Sequence, residues 1–188
     1  MERLERLFGD IRFWIAITFV HRLASIMQPP LEVAHNWRQT TVTMVARNFL
    51  EIDPNIFYPR VDMAGDLWGI TGMEFPLLNY LIYLVSLIFG YEHWYGRLIN
   101  LIISSTGIWC FYDVIKHYFN KKVAFASAMV LLFSLFYYYS RKVMPDTFSV
   151  SLIFAGIWVW KDFVLTSKFW KYLLVSLLIA LGVLSKLP

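Results

Sequence analysis

Apolar residues along this chain fall in long, nearly unbroken runs, unlike the short alternations of half-buried strands. A helix that crosses a bilayer needs about 20 mainly apolar residues. Five stretches reach that length with slack at their ends: 11–28, 98–116, 123–140, 147–165 and 169–186. A sixth, MEFPLLNYLIYLVSLIFG at 73–90, has only about sixteen apolar-dominated residues after Glu74, and Pro76 and Asn79 occupy its first turns. The pattern predicts an all-α, polytopic membrane helix bundle forming one module over 1–188.

Charge decides the status of the sixth stretch, because Lys and Arg in short loops favour the cytoplasmic side. If 74–89 does not span, then Arg3 and Arg6, the loop with Lys116, Lys121 and Lys122, and the loop with Lys161, Lys168 and Lys171 all face the cytoplasm. Only Arg141, Lys142 and Lys186 remain in short outside segments. If it does span, both lysine-rich loops move outside. The expectation is therefore about five transmembrane helices, with 74–89 a short helix at the outer face. The N-terminal MERLERLFGDIR leads into FWIAITFVHRLASIM, and no small-residue cleavage site precedes QPP, which reads as an uncleaved signal anchor.

Composition agrees with the pattern: 59% of the 188 residues are hydrophobic and 16% are charged, too apolar for a water-soluble domain. The net charge of +4 is spread beside apolar runs and forms no dense basic block, so nucleic acid is not an expected partner. The single Cys110 sits in an apolar run and packs there.

Candidate chemistry gathers in the long loop HNWRQTTVTMVARNFLEIDPNIFYPRVDMAGDLWGITG. Asn36 is placed to cap a helix with Gln39 at its third position. Trp37, Thr41, Val45, Phe49 and Ile52 then share one face, and Asn36, Thr40, Thr43, Arg47 and Glu51 another, as in an interfacial amphipathic helix. Beyond Asp53-Pro54 the periodicity stops, giving an ordered loop that carries Asp62 and Asp66. Glu74 heads a membrane-embedded segment, where a carboxylate is costly unless it meets water, a cation or a partner. A second reading stays open, that it complements the dipole of the following helix. Asp146, after Pro145, has the same two readings: helix cap or site residue. Arg141 can anchor by snorkelling beside the tyrosines.

Five spans bring His35, Arg38, Asp62, Glu74, Arg141, Asp146 and Lys186 to one side of the membrane. Carboxylates and cations over a floor of membrane helices suit a substrate with a charged head at the interface and a tail in lipid, such as a polyprenyl-phosphate sugar. Sugar transfer needs a carboxylate to take the acceptor's proton or hold a metal, and cations for the departing phosphate. No Gly-rich phosphate loop or His/Cys metal spacing is present.

The pieces HNWRQT, ARNF, FYPRVD, EFPL, GYEHWYGR and RKVMPD, in that order, resemble bacterial membrane glycosyltransferases of the GT-C fold. The likeness is to the protein O-mannosyltransferase and aminoarabinose transferase relatives of glycosyltransferase family 39, from about residue 20 onward. It implies a GT-C-like N-terminal module with a cytoplasmic N-terminus and two interfacial helices in a long first outer loop. It also implies an inverting enzyme of the bacterial inner membrane, active on the outer face. The partners implied are a polyprenyl-phosphate sugar donor, a lipid, glycan or protein acceptor, and membrane lipids.

Residue by residue, Glu74 looks like the acidic residue that lines the active site in relatives and approaches a divalent metal ion, and Asp146 resembles, more loosely, an acidic residue of the second outer loop. Relatives carry an Asp-Glu pair early in the first loop. Counting back from Ala46-Arg47 puts Arg38 and Gln39 there, so Asp62 or Glu74 takes the role or the mechanism differs. Phe75 replaces a basic residue common after the glutamate, which leaves phosphate binding to Arg38, Arg60, Arg141 or Lys186. The expected site is thus Glu74 and Asp62 as catalytic groups, with His35, Arg38, Gln39, Arg60, Arg141, Asp146 and Lys186 binding substrate. Since relatives run to several hundred residues, the resemblance implies an N-terminal piece that is inactive alone. The rival expectation, a transporter or non-catalytic lipid-binding subunit, has less support: no internal repeat is visible and charge gathers at one face.

Overall fold

A computed structural model describes residues 7–30 and 35–186. Arg3 and Arg6 lie outside the described residues. Among the described residues eight helices are delimited, in order: α1 (Ile11–Leu23), α2 (Asn36–Glu51), α3 (Leu77–Phe89), α4 (Tyr95–Tyr118), α5 (Lys121–Leu132), α6 (Leu135–Tyr139), α7 (Pro145–Thr166) and α8 (Phe169–Leu184). Among the described residues there is no strand, only an isolated antiparallel bridge between Arg60 and Ile70. The all-α membrane bundle expected from the apolar runs is the observed architecture.

Helix boundaries follow local chemistry. The Asp10 carboxylate accepts from the Arg12 N–H at 2.9 Å and starts α1, and the Asn120 amide oxygen accepts from the Val123 N–H at 2.9 Å and starts α5. Pro145 occupies the first position of α7, where its missing N–H costs nothing. Among the described residues two helices are long and apolar enough to cross a bilayer unaided: α4 with 24 residues and α7 with 22. The other predicted spans are shorter or interrupted. The 123–140 run breaks at Ser134, whose hydroxyl caps α6 by accepting from the Phe136 N–H. The 11–28 run stays helical only to Leu23 and finishes in turns.

α2 also differs from its expected register. The capping position belongs to His35, in the left-handed conformation at φ 59°, and Asn36 lies inside the first turn. Its buried stripe is Gln39, Val42, Thr43, Val45, Ala46, Asn48 and Phe49, while Trp37 and Ile52 are exposed. Thr43 can be buried because its hydroxyl returns a hydrogen bond to the Gln39 carbonyl at 3.0 Å. The helix therefore buries the middle of the Trp37 face, Val45 and Phe49, together with Thr43 from the polar face, and leaves the two ends of the Trp37 face exposed.

Packing is organised around α4. Ile11, Leu101, Ile108, Ala124, Leu132 and Tyr137 form one core that joins α1, α4, α5 and α6. Val42, Ala46, Leu78, Ile82, Tyr95, Val143 and Phe148 form a second, joining α2, α3, α4 and α7. Where α4 crosses α7, a Cβ on Gly107 would sit 2.6 Å from the Ser151 Cβ and 2.8 Å from its Cα. Small residues let membrane helices approach in this way.

Hydrogen bonds fix which helix ends meet. Fully buried Arg97, at the start of α4, donates to the carbonyls of Ile26 and Pro29 at 3.0 Å each, just beyond α1. Asn100 donates to the carbonyls of Lys142 and Met144, at 2.8 and 3.1 Å, before α7. The Phe75 N–H donates to the Leu184 carbonyl at 3.0 Å, at the end of α8. One end of the bundle therefore collects the last turn of α1, the starts of α4 and α7 and the finish of α8. At the other end Lys161 pairs with Asp113, and Trp158 donates to the same carboxylate at 2.9 Å.

α3 begins beside Leu184 and leads into a segment where the His93 imidazole Nε2 lies 3.0 Å from the Met27 carbonyl. Both of its ends thus belong to the same end of the bundle. With 13 residues, or about 20 Å of rise, it lies against α2 and does not run the length of α4.

Candidate active site

The segment before α3 places Glu74 between two cations. Arg38, one turn into α2, pairs directly with its carboxylate, and the Lys186 ammonium lies 4.0 Å away. Lys186 also reaches the Asp146 carboxylate at 3.0 Å. Four side chains from four separate parts of the chain make a row of alternating charge, Arg38, Glu74, Lys186, Asp146. The Arg38–Glu74 pair is well shielded, its side chains 20% and 16% exposed. Charges that are partly removed from water interact more strongly than exposed ones, and each is costly to leave unpaired.

Pro76 holds the capping position of α3 and makes no side-chain capping hydrogen bond; Glu74, two residues earlier, is engaged by Arg38 and Lys186, and its charge still lies on the favourable side of the helix dipole. Asp146 lies in the first turn of α7, which suits the helix dipole, yet it makes no capping hydrogen bond either. Its second oxygen, Oδ2, is buried and has no hydrogen-bond partner among the described residues.

His35 comes to the same region from the start of α2. Its ring meets Tyr139 edge to face with centroids 5.5 Å apart. His35, Tyr139 and Asp146 share the wall of a cavity of about 350 Å³. Gln39 is fully buried, and its amide oxygen accepts from the Val143 N–H at 3.3 Å, so it locks α2 onto the turn before α7. Arg141 donates to the Ala24 carbonyl at 2.8 Å, beside the end of α1.

Asp62 and Arg60 are held elsewhere, in the 53–71 loop. Asp62 pairs with Arg47 and accepts from the Asn48 amide at 2.8 Å. Arg60 pairs with Asp53 at 3.0 Å and lies over the Trp68 ring, 5.7 Å from its centroid. These contacts close the 53–71 loop onto the last turns of α2, helped by the Val61 N–H to Gly69 carbonyl bond of 2.9 Å. Gly69 needs to be glycine there: its φ is +68°, and a Cβ would stand 2.4 Å from the Val61 oxygen. Tyr91 fastens α2 from the other direction by donating to the Thr43 carbonyl at 3.2 Å. Burial pushes its phenol above the ordinary tyrosine range, opposed by the nearby Arg47 charge.

The surroundings of Glu74 do not fit a metal site. Its neighbours are an Arg and a Lys, which repel a dication, and no group of three His, Cys, Asp or Glu side chains gathers among the described residues.

Arg38, Glu74, Lys186 and Asp146 were all legible as candidates in the sequence, as was His35. Tyr139 was not. Its signal was the tyrosine run at 137–139, which reads equally well as an interfacial aromatic belt.

Comparison with known protein families gives this geometry its context. The family described as dolichyl-phosphate-mannose-protein mannosyltransferase matches residues 74–188, more than half of the chain. The chain belongs to this family. Members of the mannosyltransferase family are membrane glycosyltransferases that draw on a polyprenyl-phosphate-linked sugar, and this chain is accordingly an integral membrane protein of that kind. The match opens on Glu74 and takes in Arg141, Asp146 and Lys186, whereas His35, Arg38 and Asp62 precede it. No curated protein and no solved structure matches the chain.

Proposed function

We propose that this protein is an inverting glycosyltransferase that moves a sugar from a polyprenyl phosphate to a lipid, glycan or protein acceptor at the outer face of a bacterial inner membrane. The observation that carries the proposal is the row Arg38–Glu74–Lys186–Asp146 at the end of the bundle where the lysine-rich loops are not. The acceptor hydroxyl attacks the anomeric carbon as the bond from that carbon to the phosphate oxygen breaks. The polyprenyl phosphate departs with the electron pair, and a carboxylate takes the hydroxyl proton. Glu74 is the carboxylate we assign to that task. Arg38 and Lys186, which neutralise Glu74 in the donor-free protein, are the cations nearest to hand for the phosphate. As the phosphate engages them, Glu74 is released to accept the proton.

Glu74→Gln in the full-length protein should abolish transfer while leaving membrane insertion intact, measured by radiolabelled sugar transfer in isolated membranes. Retained transfer would sink the assignment.

A further inference from the structure

We infer that the cavity between the start of α2, α6 and the start of α7 is the pocket for the sugar ring of the lipid-linked donor. The inference rests on the donor reading above and assigns a place and a set of contacts to it. The cavity measures about 350 Å³, within the range of small-molecule sites, and is therefore large enough for one monosaccharide. Its wall has two characters. Leu135, Phe136 and Val150 make one part apolar, and Leu135 and Val150 are also exposed on the bundle surface, where a lipid chain can reach them. His35, Tyr139 and Asp146 make the other part polar and aromatic.

A sugar ring presents an apolar C–H face and a rim of hydroxyls, and this wall supplies a partner for each. The Tyr139 ring, held by its edge-to-face contact with His35, offers a flat surface for the C–H face. Asp146 offers Oδ2, a buried carboxylate oxygen without a donor among the described residues. That atom is closed to a water-sized probe as the cavity stands, so a sugar hydroxyl that donates to it must first turn the carboxylate toward the cavity. Its other oxygen is held at 3.0 Å by Lys186. Through Lys186 the pocket joins directly to Glu74. A sugar seated over Tyr139 would hold its anomeric carbon near the charge row, with the isoprenoid running along Leu135 and Val150 toward lipid. Tyr139 and Asp146 are in this view substrate-positioning residues.

The test uses the purified full-length protein in detergent and measures binding of citronellyl phosphate, alone and linked to mannose, glucose or arabinose. Tyr139→Ala should weaken binding of the preferred sugar-linked probe by about tenfold or more, yet leave bare citronellyl phosphate unchanged, which also certifies its fold. Asp146→Asn, which also releases Lys186, should lower the preference for the sugar-linked probe over the bare phosphate by about tenfold or more. Tyr139→Phe, which keeps the ring, should bind like wild type. If the variants weaken both kinds of probe equally, or neither, the sugar pocket is overturned while the transferase reading stands. If wild type binds none of the probes, the donor reading fails and the pocket falls with it.

Discussion

At the scale of single residues, the informative quantity is what each charge touches. Glu74 is conspicuous in the sequence because a carboxylate at the head of an apolar segment needs a reason. Its reason lies in Arg38, 36 residues earlier, and Lys186, 112 residues later, separations at which no local pattern carries information. Asp62 drew attention on the same grounds, and its partners turn out to be Arg47 and Asn48 at the back of α2. Asp62→Asn should therefore reduce transfer less than tenfold, under about 1.4 kcal/mol in the barrier. A loss as deep as that of Glu74→Gln in the same membrane assay would bring Asp62 back as a catalytic group. Lys186→Met, which removes the link between two carboxylates, should raise KM for donor more than it lowers kcat.

At the scale of elements, close crossings and fastened loops set the site's geometry. Gly107 lets α4 and α7 approach, and their paired starts carry Arg97, Asn100 and Asp146. Gly107→Leu must displace the Ser151 backbone and should cost about 1–3 kcal/mol, seen as a lowered Tm in detergent. Gly72→Ala, which meets nothing within 4 Å, should leave Tm unchanged. Tyr91 offers a pH test of the hold on α2. Its folded pKa is raised, so the stabilisation it gives is complete below the unfolded value of about 10 and is lost as pH rises through the folded value. Tyr91→Phe should remove that part of the alkaline loss in thermal melts above about pH 10. An unchanged alkaline profile would show that the phenol does not fasten the loop.

For the whole molecule, the question is which helix ends share a side. The hydrogen bonds from Arg97, Asn100 and Phe75 gather ends of α1, α4, α7 and α8 on one side, and the Phe75 and His93 contacts place both ends of α3 there too. In a Cys110→Ala background, Asp66→Cys and Glu92→Cys should react with an impermeant maleimide from one side of the membrane and Lys122→Cys from the other. Labelling of Glu92→Cys together with Lys122→Cys would restore α3 as a sixth span and undo the one-sided site.

The sequence alone determined the class of molecule, because about 20 apolar residues in a row leave few choices besides a membrane helix. It also argued against 74–89 as a span, through lysine placement, a rule that needs no coordinates. The one-sided gathering of charge and the resemblance carried by its motifs pointed to a lipid-linked sugar as substrate. It could not place the break at Ser134 or the register of α2, where caps and neighbours outweigh periodicity. Nor could it say that Glu74 answers to Arg38 and Lys186 while Asp62 answers to Arg47. Those pairings depend on how helices far apart in sequence are brought end to end, and only the packing of α2, α3, α7 and α8 around α4 decided them.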